Sequence, residues 1–404
     1  MKQALKHAMD TLLGEQMCFF LIDWIESNFY SIIEKPGKLR EVSAAASTLS
    51  EVRAPKRRKQ RIQRHPPPIR WTQNPRSKDQ WTQRQTDPKL QKMIAGRKTL
   101  PAWEMRESII DTVNSHQVTI ISGETGSGKS TQSAQFILDD MYAHALGDTA
   151  KIICTQPRRI SALGLADRVS DERCSQVGQE VGYIIRGESK ASPQTKITFV
   201  TTGVLLRRLQ TSGGSSDDVV ASLADISHVI IDEVHERSLD TDFLLVLLRD
   251  VLKKRKDLKL ILMSATLDAG VFADYFKSLG AVGMIEISGR TYPVEDYYLD
   301  DVIRMTGRDR SGGRVNENDE DTQGMDDDVK AAIQSIGMRI NYDLIADTVR
   351  EIDAQLTHDH EEGGILIFLP GVMEITRCLQ TLNSTPNMHA LPLHAGLQSV
   401  EQRR

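Results

Sequence analysis

The 404-residue sequence has few cysteines and no long apolar run. Its four cysteines are scattered, with no CxxC pair and no Cys/His cluster, which argues against a disulfide framework and a structural zinc site. No apolar stretch is long enough to cross a bilayer. The short apolar run Met17–Ile25 is interrupted by Asp23 and lacks the pattern of a signal peptide. These absences favour a cytoplasmic protein, with the nucleus as the alternative.

The length of the chain predicts two or three domains, and the net charge of −4 conceals separate basic and acidic stretches. Residues 1–48 have apolar side chains at helical spacing between Gln16 and Ile33, and Pro36 and Gly37 then end the pattern. The spacing predicts a helical segment. This segment is weakly similar to the closing helix of an RWD domain, and a leader helix docked on its neighbour is the alternative.

Residues 49–95 are rich in lysine and arginine and contain almost no aliphatic side chains. Such a stretch buries too little apolar surface to offset the ordering of its backbone, so we expect a disordered basic linker. Trp71 and Trp81 lie among the cations, in positions suited to stacking on unpaired bases while the cations contact phosphates. A solvated linker, or a nuclear-import signal at residues 56–61, is the alternative.

From residue 96 onward, aliphatic runs alternate with longer segments compatible with helices, such as Lys129–Met141 and Phe243–Lys254. Aliphatic strands separated by helices are typical of a parallel sheet covered on both faces, so the predicted fold class is α/β. The predicted strands are Val118–Ser122, Lys151–Thr155, Ile197–Thr201, His228–Asp232, Leu258–Met263 and Met284–Ile287.

This alternation changes after residue 290. Residues 291–336 contain several glycines and an acidic run from Glu317 to Asp328, which predicts a linker with a flexible acidic insertion. Residues 337–404 resume the α/β pattern and predict part of a second domain. Its predicted elements are a helix at Asn341–Asp353, a strand at Gly364–Leu369 and a helix at Met373–Leu382.

The segment Gly123–Ser130 matches the phosphate-binding pattern GxxxxGK[ST] between a predicted strand and a predicted helix. Its glycines let backbone N–H groups point at phosphates, and the helix N-terminus adds favourable partial charge. Lys129 supplies a charge for the β- and γ-phosphates, and Ser130 offers a hydroxyl to Mg²⁺. A glycine-rich turn without a ligand is the alternative. The predicted nucleotide-binding residues are Gly123, Glu124, Thr125, Gly126, Ser127, Gly128, Lys129, Ser130 and Thr131.

Two adjacent carboxylates, Asp232 and Glu233, close a later apolar strand. Because ligands bind at the carboxyl ends of parallel strands, we expect this pair beside the phosphate-binding loop. Asp232 is suited to holding Mg²⁺, directly or through water, and Glu233 to orienting and deprotonating the attacking water. Such a pair is also often a helix N-cap, but the preceding loop favours the metal interpretation. The predicted metal ligands are Ser130, Asp232 and Glu233.

Further short segments follow in a characteristic order. They are Thr155–Arg159, Gly182–Arg186, Thr201–Leu206, Asp232–Arg237, Ser264–Thr266 and Gly289–Val294. With the phosphate-binding loop, they resemble the first RecA-like domain of the DEAH/RHA helicases of superfamily 2, over residues 96–300. We place that domain at residues 96–290. The motif Asp232–Arg237 reads DEVHER, with Val234 where the family usually has alanine, a change that does not touch the metal or base roles.

The resemblance implies a P-loop NTPase that uses ATP and Mg²⁺ to translocate on or unwind RNA, with RNA lying across two RecA-like domains. The implied catalytic residues are Lys129, Glu233, His235, Ser264 and Thr266, of which the last three relay the state of the γ-phosphate to domain movement. The implied RNA-binding residues are Arg158, Arg159, Arg186, Thr202 and Gly203. No upstream glutamine motif for adenine is evident, so other NTPs stay open, as do DNA as substrate and a protein or ribonucleoprotein partner.

Two later segments, Ile365–Gly371 and Leu393–Leu397, resemble the opening motifs of the second RecA-like domain. Because the chain ends before the later motifs and arginine fingers that the resemblance implies, we expect it to bind ATP with Mg²⁺, to hydrolyse it slowly and not to unwind RNA. A non-catalytic RNA-binding or scaffold protein is the alternative function. Intact Lys129 and Glu233 favour the enzyme.

Overall fold

The structure is a computed structural model of the chain. It describes residues 71–210, 216–265, 269–289, 294–308, 326–336, 339–383, 388–397 and 401–403. The helical segment predicted at residues 1–48 lies outside the described residues, as does Thr266. The chain divides into two compact units at the boundary between residues 290 and 291, and each unit is described by itself.

The first unit consists of one sheet and the helices that cover it. Its strands are β1 (Val118–Gly123), β2 (Ile152–Gln156), β3 (Val181–Ile185), β4 (Glu188–Lys190), β5 (Ile197–Thr201), β6 (His228–Ile231), β7 (Lys259–Ser264) and β8 (Val282–Ile287). Its helices are α1 (Pro75–Arg84), α2 (Pro88–Arg97), α3 (Pro101–Glu104), α4 (Arg106–Ser115), α5 (Lys129–Ala143), α6 (Arg159–Glu172), α7 (Thr202–Gln210), α8 (Ser216–Ser222), α9 (Leu239–Lys254) and α10 (Ala269–Phe276).

The eight strands lie in the order β4-β3-β5-β2-β6-β7-β1-β8. Every neighbouring pair is parallel except the antiparallel pair β3–β4. The central strands are buried along their whole length because helices cover both faces of the sheet, which is why their sequences are continuously aliphatic. The predicted α/β fold with a parallel sheet is confirmed.

Two separate apolar cores lie on the two faces of the sheet. One core contains side chains from α4, α5 and α6, including the fully buried Phe136 and Leu163. The other contains side chains from α7, α9 and α10, including Leu248 and Phe276. The helices therefore hold the strands from both sides, and the carboxyl ends of the seven parallel strands share one edge of the sheet.

The prediction of a disordered linker over residues 49–95 is wrong for its described part. Residues 75–84 and 88–97 form α1 and α2, and each helix begins with proline after a side-chain cap, Asn74 for α1 and Asp87 for α2. Trp81 stacks on Tyr142, with ring centroids 6.5 Å apart, instead of standing in solvent. Composition alone missed these helices because their partners lie on the folded sheet domain.

The regular elements described in the second unit are helices. Its helices are α11 (Leu299–Met305), α12 (Asp327–Ile336), α13 (Tyr342–Asp359) and α14 (Val372–Asn383). The predicted acidic insertion is wrong at its C-terminal end, because Val329 and Ala332 lie on one face of α12 and pack against Ile303. Residues 309–325 of that insertion lie outside the described residues.

The strand predicted at Gly364–Leu369 is not formed. Residues 361–369 have no regular secondary structure, and none of the described residues pairs with them as a strand. A strand needs a neighbour for its backbone N–H and C=O groups, so the apolar pattern alone does not produce one. As a result Phe368 is 87% exposed, whereas α13 and α14 pack together through Val349 and Cys378.

Candidate active site

The phosphate-binding loop joins β1 to α5. Two of its glycines have left-handed backbone conformations, Gly126 with φ +83° and Gly128 with φ +88°, which residues with a Cβ adopt at a cost. The loop therefore turns sharply and directs the N-terminus of α5 toward the carboxyl edge of the sheet. Lys129 is 4% exposed, and its Nζ donates to the carbonyl oxygen of Glu124 at 3.4 Å. Its ammonium group thus lies against the loop that is predicted to hold phosphates.

The segment before α4 supports this loop. The backbone N–H of Ala102 donates to the carbonyl oxygen of Ser127 at 2.9 Å. The side chain of Leu100 lies against Gly128 so closely that a Cβ at that position would approach it to 3.1 Å. Arg97 of α2 donates through Nε to Oε1 of Gln132, in the first turns of α5, at 2.7 Å. The helices that composition failed to predict therefore help to hold the loop.

The carboxylate of Asp232 follows β6 and is 3% exposed. Its Oδ1 accepts a hydrogen bond from the backbone N–H of Glu233 at 2.9 Å, and its Oδ2 accepts one from Nε2 of Gln156 at 2.7 Å. These two bonds fix the plane of the carboxylate. Gln156 was not among the predicted site residues, although it lies inside the segment Thr155–Arg159 whose two arginines drew the prediction.

The backbone of Glu233 is left-handed, with φ +54°. This conformation costs a residue with a long side chain about 1 kcal/mol or more, and such strain is concentrated at functional sites. It ends β6 abruptly and starts a 3-10 turn at Val234–Glu236. The strained turn places the side chains of Glu233 and His235 together, because Nε2 of His235 lies 3.4 Å from Oε2 of Glu233.

Burial raises the pKa of Glu233 above its ordinary value, and the neighbouring carboxylate of Asp232 raises it further. Lys129 and His235 act in the opposite direction. The loop lysine follows β1 and the carboxylate pair follows β6, two strands apart in the same sheet. A carboxylate whose affinity for protons is increased in this way is a better general base.

His235 also connects the carboxylate pair to β7. Its Nδ1 accepts a hydrogen bond from the backbone N–H of Ala265 at 3.2 Å, so the proton of the neutral ring is assigned to Nε2, on the side of Glu233. Ser264, the last residue of β7, is 1% exposed. Since β7 lies between β6 and β1, Ser264 ends the strand that connects the carboxylate side of the edge with the side of the phosphate-binding loop.

The donor atoms at this edge suit Mg²⁺. The hydroxyl of Ser130 and the carboxylates of Asp232 and Glu233 are hard oxygen ligands, and one or two carboxylates together with substrate phosphates are the usual protein environment of this ion. In the described part of the chain, no three His, Cys, Asp or Glu side chains form a metal-binding group by themselves.

The predicted RNA-binding residues occupy the other side of the same edge. Strands β2 and β5 are neighbours, with Gln156 opposite Thr201, so the chain segments that follow them emerge side by side. Arg158 is exposed, and its Nη2 lies 3.2 Å from Oε1 of Glu236. Arg159 is also exposed, as is Arg186 in the turn between β3 and β4.

Two other predicted RNA-binding residues, Thr202 and Gly203, are less exposed to solvent. Thr202 is 5% exposed, and its hydroxyl donates to the carbonyl oxygen of Gln156 at 3.4 Å, so its side chain supports the end of β2. Gly203 is partly buried, and a Cβ there would lie 3.2 Å from Oδ2 of Asp240.

Thr131, which was predicted to bind nucleotide, lies at the start of α5. It is partly buried, and its hydroxyl donates to the carbonyl oxygen of Gly128 at 3.1 Å.

The family model for the DEAD/DEAH box helicase matches residues 103–273 of the chain. The chain carries a DEAD/DEAH-box helicase domain. The matched residues include the phosphate-binding loop and the carboxylate pair, so the predicted family is confirmed. The eight-stranded, mostly parallel sheet is in keeping with the RecA-like fold of these helicases.

Several curated relatives resemble the chain over long stretches. The DExH-box ATP-dependent RNA helicase DExH1 of Arabidopsis thaliana is 40% identical over 76% of this chain and 33% of its own length. The ATP-dependent RNA helicase DHX29 of Mus musculus is 37% identical over 79% of this chain and 26% of its own length. DExH3 of Arabidopsis thaliana, another DExH-box ATP-dependent RNA helicase, is 47% identical over 54% of this chain and 18% of its own length.

The chain therefore spans a third or less of each of these relatives. Among the helices that the structure describes, none has the length and apolar character needed to cross a membrane.

Proposed function

We propose that this chain is the nucleotide-binding part of an ATP-dependent RNA helicase, which binds ATP with Mg²⁺ and hydrolyses it to translocate on or unwind RNA. The observation that carries the proposal is that the buried Lys129 and the carboxylate pair, of which Asp232 is buried and Glu233 partly exposed, follow strands of one sheet at the same edge. The printed names of the three relatives, all ATP-dependent RNA helicases, support the choice of nucleotide and substrate.

Each side chain at this edge has a chemical part in the proposal. Lys129 and the backbone N–H groups of the loop bind the β- and γ-phosphates. Ser130 and Asp232 would hold Mg²⁺, which would neutralise charge on those phosphates. Glu233 orients a water molecule for attack on the γ-phosphorus and accepts its proton, since its raised pKa increases its basicity.

The proposed RNA contacts are electrostatic. Arg158, Arg159 and Arg186 are long, exposed cations at the carboxyl edge, suited to phosphate oxygens rather than to base edges. A single-stranded nucleic acid that releases counterions at each contact binds with a salt dependence of about 0.7 per phosphate. Replacing Arg186 by alanine is therefore expected to reduce the slope of log K against log salt by about 0.7, with ATP affinity unchanged.

The test of hydrolysis uses Glu233→Gln, which keeps the shape of the side chain and removes the base. Removing a general base costs about 10²–10⁴-fold in rate. We expect single-turnover hydrolysis of ATP in the presence of RNA to fall by that factor, while the affinity for ATP with Mg²⁺ changes only a few-fold. Glu286→Gln, at an exposed position of β8, is the matched control and should hydrolyse like the original chain.

Two results would argue against the proposal in different ways. A chain that binds no ATP in the presence of Mg²⁺ would remove the nucleotide function altogether. A chain that binds RNA but whose hydrolysis is the same with Glu233 or glutamine would instead favour the non-catalytic RNA-binding or scaffold function.

A further inference from the structure

A buried hydrogen bond connects the proposed RNA edge to the proposed metal site. It joins Nε2 of Gln156, the last residue of β2, to Oδ2 of Asp232, just after β6. Gln156 is 2% exposed and Asp232 is 3% exposed, so water does not compete for this bond. A hydrogen bond to a charged group is stronger than one between two neutral groups.

The glutamine is itself held in place from the RNA side. Its backbone carbonyl oxygen accepts the hydroxyl of Thr202 at 3.4 Å, and its backbone pairs with Thr201 of β5. The next residues along the chain are Pro157 and the exposed Arg158. The end of β2 therefore contacts both the segment proposed to bind RNA phosphates and the carboxylate proposed to bind the metal.

The hydrogen bond from Gln156 is one of two bonds that fix the orientation of the Asp232 carboxylate. With Oδ1 fixed by the backbone N–H of Glu233 and Oδ2 by Gln156, the carboxylate of Asp232 cannot rotate without breaking a buried bond. Each oxygen keeps a second lone pair for a metal or for a metal-bound water. Partners that orient metal ligands in this way typically change metal affinity by 10–100-fold when removed.

We propose that Gln156 is a positioning residue that orients Asp232 toward Mg²⁺ and couples RNA binding at the end of β2 to metal-nucleotide binding. This inference rests on the proposed function. Gln156 does not contact nucleotide or RNA in this scheme and acts only through Asp232 and the strand end. By linkage, RNA that favours the bonded arrangement of the strand end increases the affinity for ATP with Mg²⁺, and the nucleotide increases the affinity for RNA by the same factor.

The experiment compares Gln156→Leu with the original 404-residue chain in titrations with a fluorescent ATP. Titrations run once with Mg²⁺ and once with EDTA. We expect the affinity for ATP with Mg²⁺ to fall by about 10–100-fold, while the affinity for metal-free ATP changes by less than about 2-fold. Gln156→Asn keeps an amide but shortens the side chain by one methylene, so its loss should be smaller and equally specific to the metal.

Gln117→Leu is the matched control, because Gln117 also uses its amide for two hydrogen bonds, to the carbonyl oxygens of Leu252 and Arg255 at 2.9 and 2.8 Å. These bonds lie at the amino edge of the sheet, so this change should lower the melting temperature without altering the effect of Mg²⁺. Equal losses with and without the metal in Gln156→Leu would show a merely structural role and overturn the inference.

The RNA part is tested in the same titrations with a single-stranded RNA at saturation. We expect RNA to increase the affinity of the original chain for ATP with Mg²⁺ and to leave that of Gln156→Leu nearly unchanged. An unchanged RNA effect in the variant would contradict the coupling. If the original chain fails to bind ATP with Mg²⁺, the proposed function fails. If it binds and Gln156→Leu binds equally well, only the inference about Gln156 fails.

Discussion

The two halves of the carboxyl edge differ in burial. On the half formed by β6, β7 and β1, Lys129, Asp232 and Ser264 are each at most 4% exposed. On the half formed by β2, β5 and the β3–β4 turn, the predicted contacts Arg158, Arg159 and Arg186 are exposed. The same sheet thus holds the buried charges of Lys129 and Asp232 beside a set of exposed cations.

This difference in burial affects how each half can select its ligand. Charges in an enclosed site interact strongly and need bonded partners, so their geometry is specific and little screened by salt. Exposed arginines are mobile and screened, so they provide affinity for a polyanion with little geometric selection. A small ligand with a metal suits the first half, and a nucleic acid backbone suits the second.

The largest expected effect is a difference in folding stability between a variant of a buried arginine and a variant of an exposed one. Arg97 is 4% exposed and lies 3.7 Å from Oδ2 of Asp139, whereas Arg158 pairs with Glu236 at the surface. Removing one partner of a buried ion pair costs about 3–5 kcal/mol, and removing an exposed partner costs about 0–1 kcal/mol. Urea unfolding should therefore show a large loss for Arg97→Met and almost none for Arg158→Met. Similar losses of unfolding free energy in the two variants would contradict this difference between buried and exposed arginines.

The next largest effect tests the enclosed half directly. Replacing Lys129 by methionine keeps the length of the side chain and removes its charge. We expect a loss of about 1.5–3 kcal/mol in the binding of ATP with Mg²⁺, or about 10–100-fold in affinity. Binding of single-stranded RNA without nucleotide, measured by fluorescence anisotropy, should stay the same. A parallel loss of RNA affinity would mean that the two halves are not separate sites.

At the amino edge of the sheet, His228 makes the folding stability depend on pH. Burial, and to a smaller extent Lys259, lowers the pKa of His228 to about 3. The unfolded chain, with an ordinary histidine pKa near 6.5, therefore binds this proton at a higher pH than the folded chain does. The contribution to stability is complete well above pH 6.5 and is lost as the pH falls toward 3, at a rate that approaches about 1.4 kcal/mol per unit of pH.

The measurement is the unfolding free energy at pH 7.5 and at pH 5.5 for His228→Gln. The variant should lose about 1.4 kcal/mol less on acidification than the original chain. His358→Gln is the control, since that side chain is 88% exposed and should leave the pH dependence unchanged. Identical pH dependence in all three chains would contradict the burial of a neutral histidine.

The smallest expected effect concerns the exposed pair of Arg158 and Glu236. An RNA phosphate that binds Arg158 has to replace the carboxylate of Glu236, which lies 3.2 Å away. Because an exposed ion pair is worth at most about 1 kcal/mol, Glu236→Gln should tighten RNA binding by up to about 5-fold. The gain should shrink at high salt. Weaker RNA binding by this variant would place the RNA elsewhere.

The strands, the phosphate-binding loop and the carboxylate pair could be predicted from sequence because each depends on neighbours along the chain. Continuous aliphatic runs mark buried parallel strands, and β5 was predicted at its observed bounds, Ile197–Thr201. The strand β3 was missed because its hairpin partner is short and polar. Gly182 is required there, since a Cβ would collide with the backbone of Lys190.

The features that sequence did not reveal depend on distant partners. Gln156 gains its importance from Asp232, 76 residues later, and no local pattern marks that pair. Helices α1 and α2 looked like a basic linker because Arg84 and Arg97 meet their acidic partners only in the fold, among them Glu180 at 3.0 Å from Arg84. The apolar run Gly364–Leu369 shows the opposite error, since a strand pattern forms no strand without a neighbour.

The central claim is that the loop lysine and the carboxylate pair bind one ligand together. The most direct measurement is a crystal structure of the chain with Mg²⁺ and a non-hydrolysable ATP analogue. We predict the triphosphate in contact with Lys129, with Mg²⁺ about 2.1 Å from the hydroxyl of Ser130 and held by Asp232 directly or through one water. A triphosphate bound elsewhere, or a metal remote from Asp232, would contradict the claim.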